Sequence, residues 1–150
     1  MNPARALLRG DIVIADDDPD DRGLALEALV EGGWTRGVRQ VSNGDELLGL
    51  LRGQGGFQER PSLVLLDLNM PRKNGFEALE EIRLDAALRD LPVVIFSTSR
   101  AEEDVLRSYR LGCNSFHSKP ASVASLKALM ADLLRYWFET SELPRVADSR

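Results

Sequence analysis

The stretch from Ser62 to Gly75 reads SLVLLDLNMPRKNG, and it is the part of the sequence that points most clearly to a fold. Its first five residues form a short, mainly apolar run, which is typical of a strand buried on both faces. Asp67 follows that run directly, and Asn74-Gly75 precedes a segment with apolar residues at helical spacing. A buried strand, a polar loop that begins with a carboxylate, and an amphipathic helix together predict one βα unit of a parallel sheet.

The same unit recurs along the chain on both sides of this stretch. Short apolar runs alternate with helical patterns, and Gly, Pro, Asn and Ser stand between them. This alternation predicts an α/β domain with a doubly wound, five-stranded parallel sheet. Because crossovers are right-handed, few topologies are possible, and we expect the flavodoxin-like strand order 2-1-3-4-5. The predicted strands are Asp11–Ala15, Val38–Val41, Ser62–Leu66, Pro92–Phe96 and Asn114–His117.

Composition limits both the class of protein and the kind of site. The 150 residues carry a net charge of −5, which argues against nucleic acid as a partner. No run approaches the roughly 20 apolar residues that cross a membrane, and no signal peptide is visible, so we expect a cytoplasmic protein. One cysteine, Cys113, and one histidine, His117, are too few for a structural zinc site. Any bound metal should therefore be a hard ion held by carboxylates.

Polar side chains suited to phosphoryl transfer follow four of the predicted strands. Asp16 and Asp17 come directly after the first strand and Asp67 after the third, while the hydroxyl of Ser97 or Thr98 follows the fourth and Lys119 the fifth. Ligands of such sheets bind beyond the carboxyl ends of the strands, so these side chains should meet there. Carboxylates in a cluster repel one another and need a divalent cation such as Mg²⁺, and a carboxylate can attack phosphorus as a covalent nucleophile. The pattern predicts a Mg²⁺-dependent phosphoryl-acceptor site.

With these residues the sequence resembles the receiver domains of response regulators, the family that includes the single-domain chemotaxis regulator. That family has an acidic pair after strand 1, D-x-N-M-P-x-x-x-G after strand 3, Ser or Thr after strand 4 and Lys-Pro after strand 5. Here the matching residues are Asp16-Asp17, residues 67–75, Ser97 and Lys119-Pro120, and the match spans roughly residues 11–135. The resemblance implies the strand order given above, and it implies a cis peptide between Lys119 and Pro120.

The resemblance also implies a role for each residue of the site. Asp67 accepts the phosphoryl group, with Ser97 and Lys119 as the other catalytic residues. Ser97 stands 22 residues before Lys119, as the family's spacing requires, and is the implied switch hydroxyl, although Thr98 lies next to it. Phe116 takes the family's aromatic switch position. The implied Mg²⁺ ligands are Asp16, Asp17, Asp67 and the backbone carbonyl of Asn69.

We therefore expect a stand-alone response regulator that accepts a phosphoryl group from a sensor histidine kinase and then changes its protein contacts. It would catalyse only its own phosphorylation and dephosphorylation. Residues 1–10 would be an N-terminal extension, 11–138 the receiver domain and 139–150 a tail. The extended last helix resembles that of small regulators paired with phytochrome-type sensor kinases, which form homodimers. Trp137 and Phe138 lie beyond the expected core, so we predict that they anchor a homodimer through this helix.

Other functions fit parts of the pattern. A phosphatase of the haloacid dehalogenase type also begins with a strand followed by D-x-D, here Asp16 and Asp18, and would carry the phosphoryl group on Asp16. A pseudo-receiver would keep the fold and act as an interaction module without phosphotransfer. A calcium loop starting at Asp16 is disfavoured because Asp21 stands where that loop needs Gly. The identity of the phosphoryl acceptor separates the first of these from a receiver.

Overall fold

Five parallel strands form one sheet in the order β2-β1-β3-β4-β5 in the computed structural model, which describes residues 10–53 and 60–144. The first and last residues of each predicted strand differ by at most one position from those of the observed strand. The predicted fold class and strand order are confirmed. The strands are β1 (Ile12–Ala15), β2 (Val38–Val41), β3 (Leu63–Leu66), β4 (Val93–Ser97) and β5 (Ser115–Ser118). The helices are α1 (Pro19–Glu31), α2 (Gly44–Leu51), α3 (Gly75–Leu84), α4 (Glu102–Arg110) and α5 (Val123–Arg135), and a π-helical turn (Tyr136–Thr140) continues α5.

The central strands are apolar at nearly every position because both faces of the sheet are covered. Successive side chains of a strand point to opposite faces. In β1, Ile12 and Ile14 pack in the cluster that includes α1 and α5, whereas Val13 and Ala15 pack in the cluster that includes α2 and α3. All residues of β1, β3 and β4 are buried, while the edge strands β2 and β5 are more exposed. The continuous apolar runs of the sequence thus reflect a sheet between two helical layers.

Strand register brings the residues that follow the strands to one edge of the sheet. Ala15 of β1 lies opposite Leu66 of β3, and the amide of Asp67 donates a hydrogen bond to the Ala15 carbonyl at 2.9 Å. The amide of Lys119 donates to the carbonyl of Ser97 at 2.7 Å. In a parallel sheet the carboxyl ends of all strands meet at the same edge. Pairing of β1, β3, β4 and β5 therefore places the acidic and basic side chains side by side.

The helices that follow β1 and β3 begin at this edge with side-chain caps that fix their first turns. Asp18 caps α1 by accepting hydrogen bonds from the amides of Asp20 and Asp21 at 2.9 and 3.4 Å, and Pro19 occupies the first helical turn. Asn74 caps α3 in a reciprocal arrangement with Glu77. The loops that follow β1 and β3 are therefore held at both ends.

The segment after α5 folds back onto the domain, so the prediction for Phe138 was wrong. Phe138 is fully buried, and its ring centroid lies 4.6 Å from that of Trp34, in the loop between α1 and β2. Trp137 is half-buried against the same cluster, and Leu143 is also buried. The π-helical turn extends α5 far enough to cover Trp34, which the apolar spacing alone does not reveal. Of the consecutive aromatics, Tyr136 is the exposed one, at 53%.

The structure also bears on the predicted cis peptide and on the predicted domain boundaries. The Lys119–Pro120 peptide was expected to be cis, but the described residues contain no cis peptide bond, so that expectation was wrong. The trans form is also the lower in free energy for X–Pro bonds, by about 0.5–1 kcal/mol. Residues 1–9 of the predicted extension and residues 145–150 of the predicted tail lie outside the described residues, and the predicted boundary between domain and tail stays a prediction. Within residues 10–53 and 60–144, no helix is both long enough and apolar enough to span a membrane.

Candidate functional site

Three carboxylates converge at the carboxyl edge of the sheet. One oxygen from each of Asp16, Asp17 and Asp67 lies within 4.8 Å of the other two. Asp16 and Asp67 are buried, whereas Asp17 is exposed and leaves the cluster open to solvent. Carboxylate oxygens on one open face are the donors that hard divalent cations such as Mg²⁺ take, and a cation also offsets their mutual repulsion. The donor set therefore fits the metal that the sequence implies.

Lys119 places one ammonium group among the carboxylates. Its Nζ donates hydrogen bonds to Oδ2 of Asp16 at 2.6 Å, of Asp21 at 2.9 Å and of Asp67 at 3.3 Å. An ammonium has three donors, so each is used. Burial alone lowers the pKa of Lys119, but the hydrogen bonds to Asp16 and Asp21 outweigh it and raise the pKa above its ordinary value. Lys119 is therefore a fixed positive charge beside the carboxylate of Asp67.

Asp16 is held from both its side chain and its backbone. Its Oδ1 accepts the amide of Asp18 at 3.0 Å, and its carbonyl accepts a hydrogen bond from Nη1 of Arg22 at 2.6 Å. Arg22 also donates to the side chain of Gln40 on β2 at 3.2 Å. Burial raises the pKa of Asp16, and the hydrogen bond from Lys119 opposes that shift. These contacts fix Asp16 at the end of β1.

The loop after β3 keeps Asp67 close to the start of α3. Oδ1 of Asp67 accepts the amide of Asn69 at 3.4 Å, while the Asn69 side chain is exposed. The amide of Gly75 donates to the carbonyl of Leu68 at 2.9 Å. A Cβ at Gly75 would collide with the carbonyl oxygen of Asp67, so only glycine allows this approach. The D-x-N-M-P-x-x-x-G spacing thus has a direct steric cause at its last position.

The two predicted switch residues lie on neighbouring strands. Ser97 ends β4, is fully buried, and accepts the amide of Ser99 at 3.3 Å, whereas Thr98 is exposed. Phe116 of β5 lies opposite Ile95 of β4. Its half-buried side chain packs against the cluster that includes α2 and α3. Ser97 is thus the buried one of the two neighbouring hydroxyls, and its place in the site stays a prediction. The switching roles themselves stay predictions.

Sequence reasoning missed two residues of the site, Asp21 and Arg22. Asp21 contacts Lys119, and Arg22 holds the backbone of Asp16. Both belong to the first turn of α1, which starts at the site edge right after the cap Asp18. Acidic residues in a first helical turn are also explained by the helix dipole, and that explanation hid the role of Asp21. The position of Asp21 in the sequence could have indicated its role, because the first turn of α1 lies at the carboxyl edge of the sheet and can reach the residues that follow the strands.

Comparison with known proteins gives a consistent result. A family model described as the response regulator receiver domain matches residues 12–131. The response regulator Rcp1 of Synechocystis sp. is 33% identical over 135 residues, which cover 89% of this chain and 92% of Rcp1. The match thus covers most of both proteins and includes every residue of the site.

Solved structures of related proteins have the same fold. The phosphorylated cyanobacterial phytochrome response regulator RcpA superposes with a TM-score of 0.85 at 36% identity, over 91% of this chain and 99% of RcpA. The Mn²⁺-bound form of Rcp1 superposes with a TM-score of 0.82 at 33% identity, over 90% of this chain and 99% of that one. The similarity of these structures therefore extends along nearly the whole chain.

Proposed function

Because this chain belongs to the family of response regulator receiver domains, we propose that it accepts a phosphoryl group from a sensor histidine kinase on Asp67. It is a signalling protein rather than an enzyme that acts on a separate substrate. The observation that carries the proposal is the position of Asp67, with the carboxylates of Asp16 and Asp17 on one side and the ammonium of Lys119 3.3 Å away.

The proposed reaction uses Asp67 as the nucleophile. A carboxylate oxygen forms a bond to phosphorus while the bond from phosphorus to the donor nitrogen breaks, and the electron pair leaves with the imidazole of the kinase. Charge on the phosphoryl oxygens needs donors and cations already in place. Lys119 supplies a fixed ammonium, and the hydroxyl of Ser97 supplies a neutral donor from the end of β4. A change at Ser97 would then reach Phe116 on the neighbouring strand.

The carboxylates would hold Mg²⁺ through Asp16, Asp17 and Asp67, with the backbone carbonyl of Asn69 as a further ligand. When bound, the ion supplies positive charge to the phosphoryl oxygens and relieves repulsion within the cluster. The existence of a Mn²⁺-bound form of Rcp1, a relative with the same fold, supports binding of a divalent ion by this chain. We propose Mg²⁺ because few protein oxygens converge here, and Mg²⁺ is usually bound by one or two carboxylates together with waters and phosphate oxygens.

Intact mass measurement tests the proposed function. The protein is incubated with acetyl phosphate and Mg²⁺, and a gain of one phosphoryl group that maps to Asp67 is expected. A phosphoryl group on Asp16 would favour the phosphatase-like alternative, but the side chain of Asp18 caps α1, which leaves it poorly placed as the second acid of that mechanism. No gain with any small donor or kinase would favour a pseudo-receiver.

Asp17→Ala tests the metal site. Asp17 contributes an oxygen to the cluster but does not accept the phosphoryl group in the proposed reaction. Its loss is expected to weaken Mg²⁺ binding by roughly ten- to a hundredfold, as measured by calorimetry, and to slow phosphorylation at limiting Mg²⁺. Asp20→Asn removes one charge from the nearby first turn of α1 and serves as the control, with affinity near that of the wild type. An unchanged affinity in Asp17→Ala would remove this residue from the ligand set.

We also propose the cell compartment and the type of kinase. The similarity to Rcp1 and to the phytochrome response regulator RcpA supports a phytochrome-type sensor kinase as the phosphoryl donor. The single buried thiol, Cys113, and the net charge of −5 support a cytoplasmic protein that does not bind nucleic acid. Phosphotransfer from such a kinase to wild type, with Asp67→Asn as the negative control, tests the pairing.

A homodimer through the C-terminal helix remains part of the proposal, with a different anchor. Phe138 belongs to the core, whereas Tyr136 is 53% exposed and packs edge-on against Trp137 at 5.1 Å between ring centroids. Exposed aromatics are frequent anchors of interfaces, and a two-fold contact would bury such a side chain on both subunits.

Tyr136→Glu is expected to convert this dimer into a folded monomer, as measured by light scattering at micromolar concentration. A charge at the centre of an interface is costly because it must be desolvated. Leu84→Glu places the same charge at a leucine that is 78% exposed on α3, and it should leave the dimer intact. A wild type that is monomeric under these conditions would contradict the proposal.

A further inference from the structure

Asp21 differs from the other two partners of Lys119. Asp16 and Asp67 belong to the carboxylate cluster that fits a metal, whereas Asp21 is not part of that cluster. Its side chain is 35% exposed, and its Oδ2 lies 2.9 Å from Nζ of Lys119. Its backbone amide donates to the cap residue Asp18, which fixes Asp21 on the first turn of α1. A rigid helical turn therefore presents one carboxylate to Lys119 from outside the acidic cluster.

We propose that Asp21 is a positioning residue that holds the ammonium of Lys119 beside the phosphoryl acceptor during phosphotransfer. The inference rests on the proposed function, because it concerns the same site. When Asp16 binds the metal and Asp67 carries the phosphoryl group, part of their negative charge is neutralised. Their hydrogen bonds to Lys119 then weaken. Asp21 serves neither, so its hydrogen bond to Lys119 persists throughout the reaction.

The flexibility of the lysine side chain explains why such a partner would speed the reaction. Lys119 reaches the site on a flexible four-carbon stem, and ordering that stem costs conformational entropy. A carboxylate fixed on α1 keeps the ammonium in one place before the phosphoryl group arrives, so less order has to be created during the reaction. Because Asp21 is partly exposed, solvent screens the pair and the effect should be moderate.

Asp21→Asn is the first test, because the amide has nearly the same shape without the charge. At saturating Mg²⁺ the rate constant for phosphorylation by acetyl phosphate is expected to fall by roughly five- to tenfold, less than for a fully buried charged hydrogen bond because solvent screens the pair. Mg²⁺ affinity by calorimetry should stay within about twofold, unlike that of Asp17→Ala. Asp21→Glu should recover part of the rate. Asp20→Asn, the control from the same turn, should react like the wild type.

A double-mutant cycle separates positioning from a general structural role. If Asp21 acts through Lys119 alone, Asp21→Asn has no further effect on the rate in a Lys119→Ala background. An effect that is the same in both backgrounds would mean that Asp21 supports the fold of α1, and it would overturn the proposal. A rate increase in Asp21→Asn would also overturn it, because Asp21 would then be competing with the phosphoryl group for Lys119.

Nuclear magnetic resonance gives a readout that does not depend on phosphotransfer. An ammonium held by carboxylates exchanges its protons slowly. At saturating Mg²⁺, where Asp16 and Asp67 serve the ion, the Lys119 NH₃⁺ signal should be observable in the wild type and in Asp20→Asn, and lost in Asp21→Asn. If the wild type is phosphorylated and Asp21→Asn matches it in rate and signal, the inference fails while the proposed function stands. If the wild type takes up no phosphate, the proposed function fails, and persistence of the signal in Asp21→Asn would still refute the hold on Lys119.

Discussion

Asp67→Asn is expected to abolish phosphorylation by acetyl phosphate, with a loss of several orders of magnitude in rate, as for other removed nucleophiles. The asparagine side chain is nearly isosteric with the aspartate carboxylate, and its oxygen can still accept a hydrogen bond from the backbone amide of Asn69. That oxygen is too weak a nucleophile to attack phosphorus. Intact mass with and without Mg²⁺ measures the effect directly. Circular dichroism and thermal unfolding should show a folded protein, because the substitution removes no buried apolar contact.

Asp20→Asn is the matched control for this experiment, since it makes the same chemical change at an exposed position of α1. It should be phosphorylated like the wild type. The result that contradicts the assignment is an Asp67→Asn protein that still gains one phosphoryl group. Mapping that group to Asp16 would move the acceptor to the end of β1 and favour the phosphatase-like reaction.

Phe138→Ala is expected to lower the free energy of unfolding by about 3–5 kcal/mol, as large-to-small changes of buried aromatics do. The ring is fully buried and packs on Trp34 with 4.6 Å between ring centroids, so its removal leaves a cavity between α5 and the loop after α1. Urea unfolding, with the slope m checked against the wild type, gives the difference. The measurement is repeated at two protein concentrations, so that any effect of dimerisation is seen separately.

Tyr136→Ala supplies the comparison, because it removes an aromatic ring two residues earlier that is mostly outside the core. It should change the stability of the monomer by no more than about 0.5 kcal/mol. If instead Phe138→Ala stays as stable as the wild type and becomes monomeric, the ring belongs to a subunit interface, as the sequence first indicated.

The site could be predicted from the sequence because each of its parts is fixed locally. A carboxylate directly after a buried strand has to lie at the carboxyl edge of a parallel sheet, and strand pairing brings such edges together. Asp16 and Asp67 each follow a run of buried apolar residues, so their neighbourhood needed no long-range information beyond the strand order. Ser97 and Lys119 were found in the same way.

The features that were missed depend on contacts between distant parts of the chain. Phe138 continues the spacing of Met130 and Leu134 at every fourth residue, which places it on the same helical face but does not show whether its own domain or a second subunit covers it. Its partner Trp34 lies about a hundred residues earlier, and no local pattern indicates that the α1–β2 loop needs a cover. Asp21 was missed for the same reason, because an acidic first turn has the same appearance with or without a lysine opposite it.

The positions of the two tryptophans determine what intrinsic fluorescence can report. α1 starts at the phosphoryl-acceptor edge and runs 13 residues, about 20 Å, before Trp34, whose indole donates to the carbonyl of Gly37 ahead of β2. Trp137, after α5, packs in the same cluster as Trp34. Emission should therefore be insensitive to direct quenching at the acceptor edge and sensitive to the docking of the C-terminal segment. A change in tryptophan emission upon phosphorylation would then show that a conformational change extends from the acceptor edge to the opposite end of the domain.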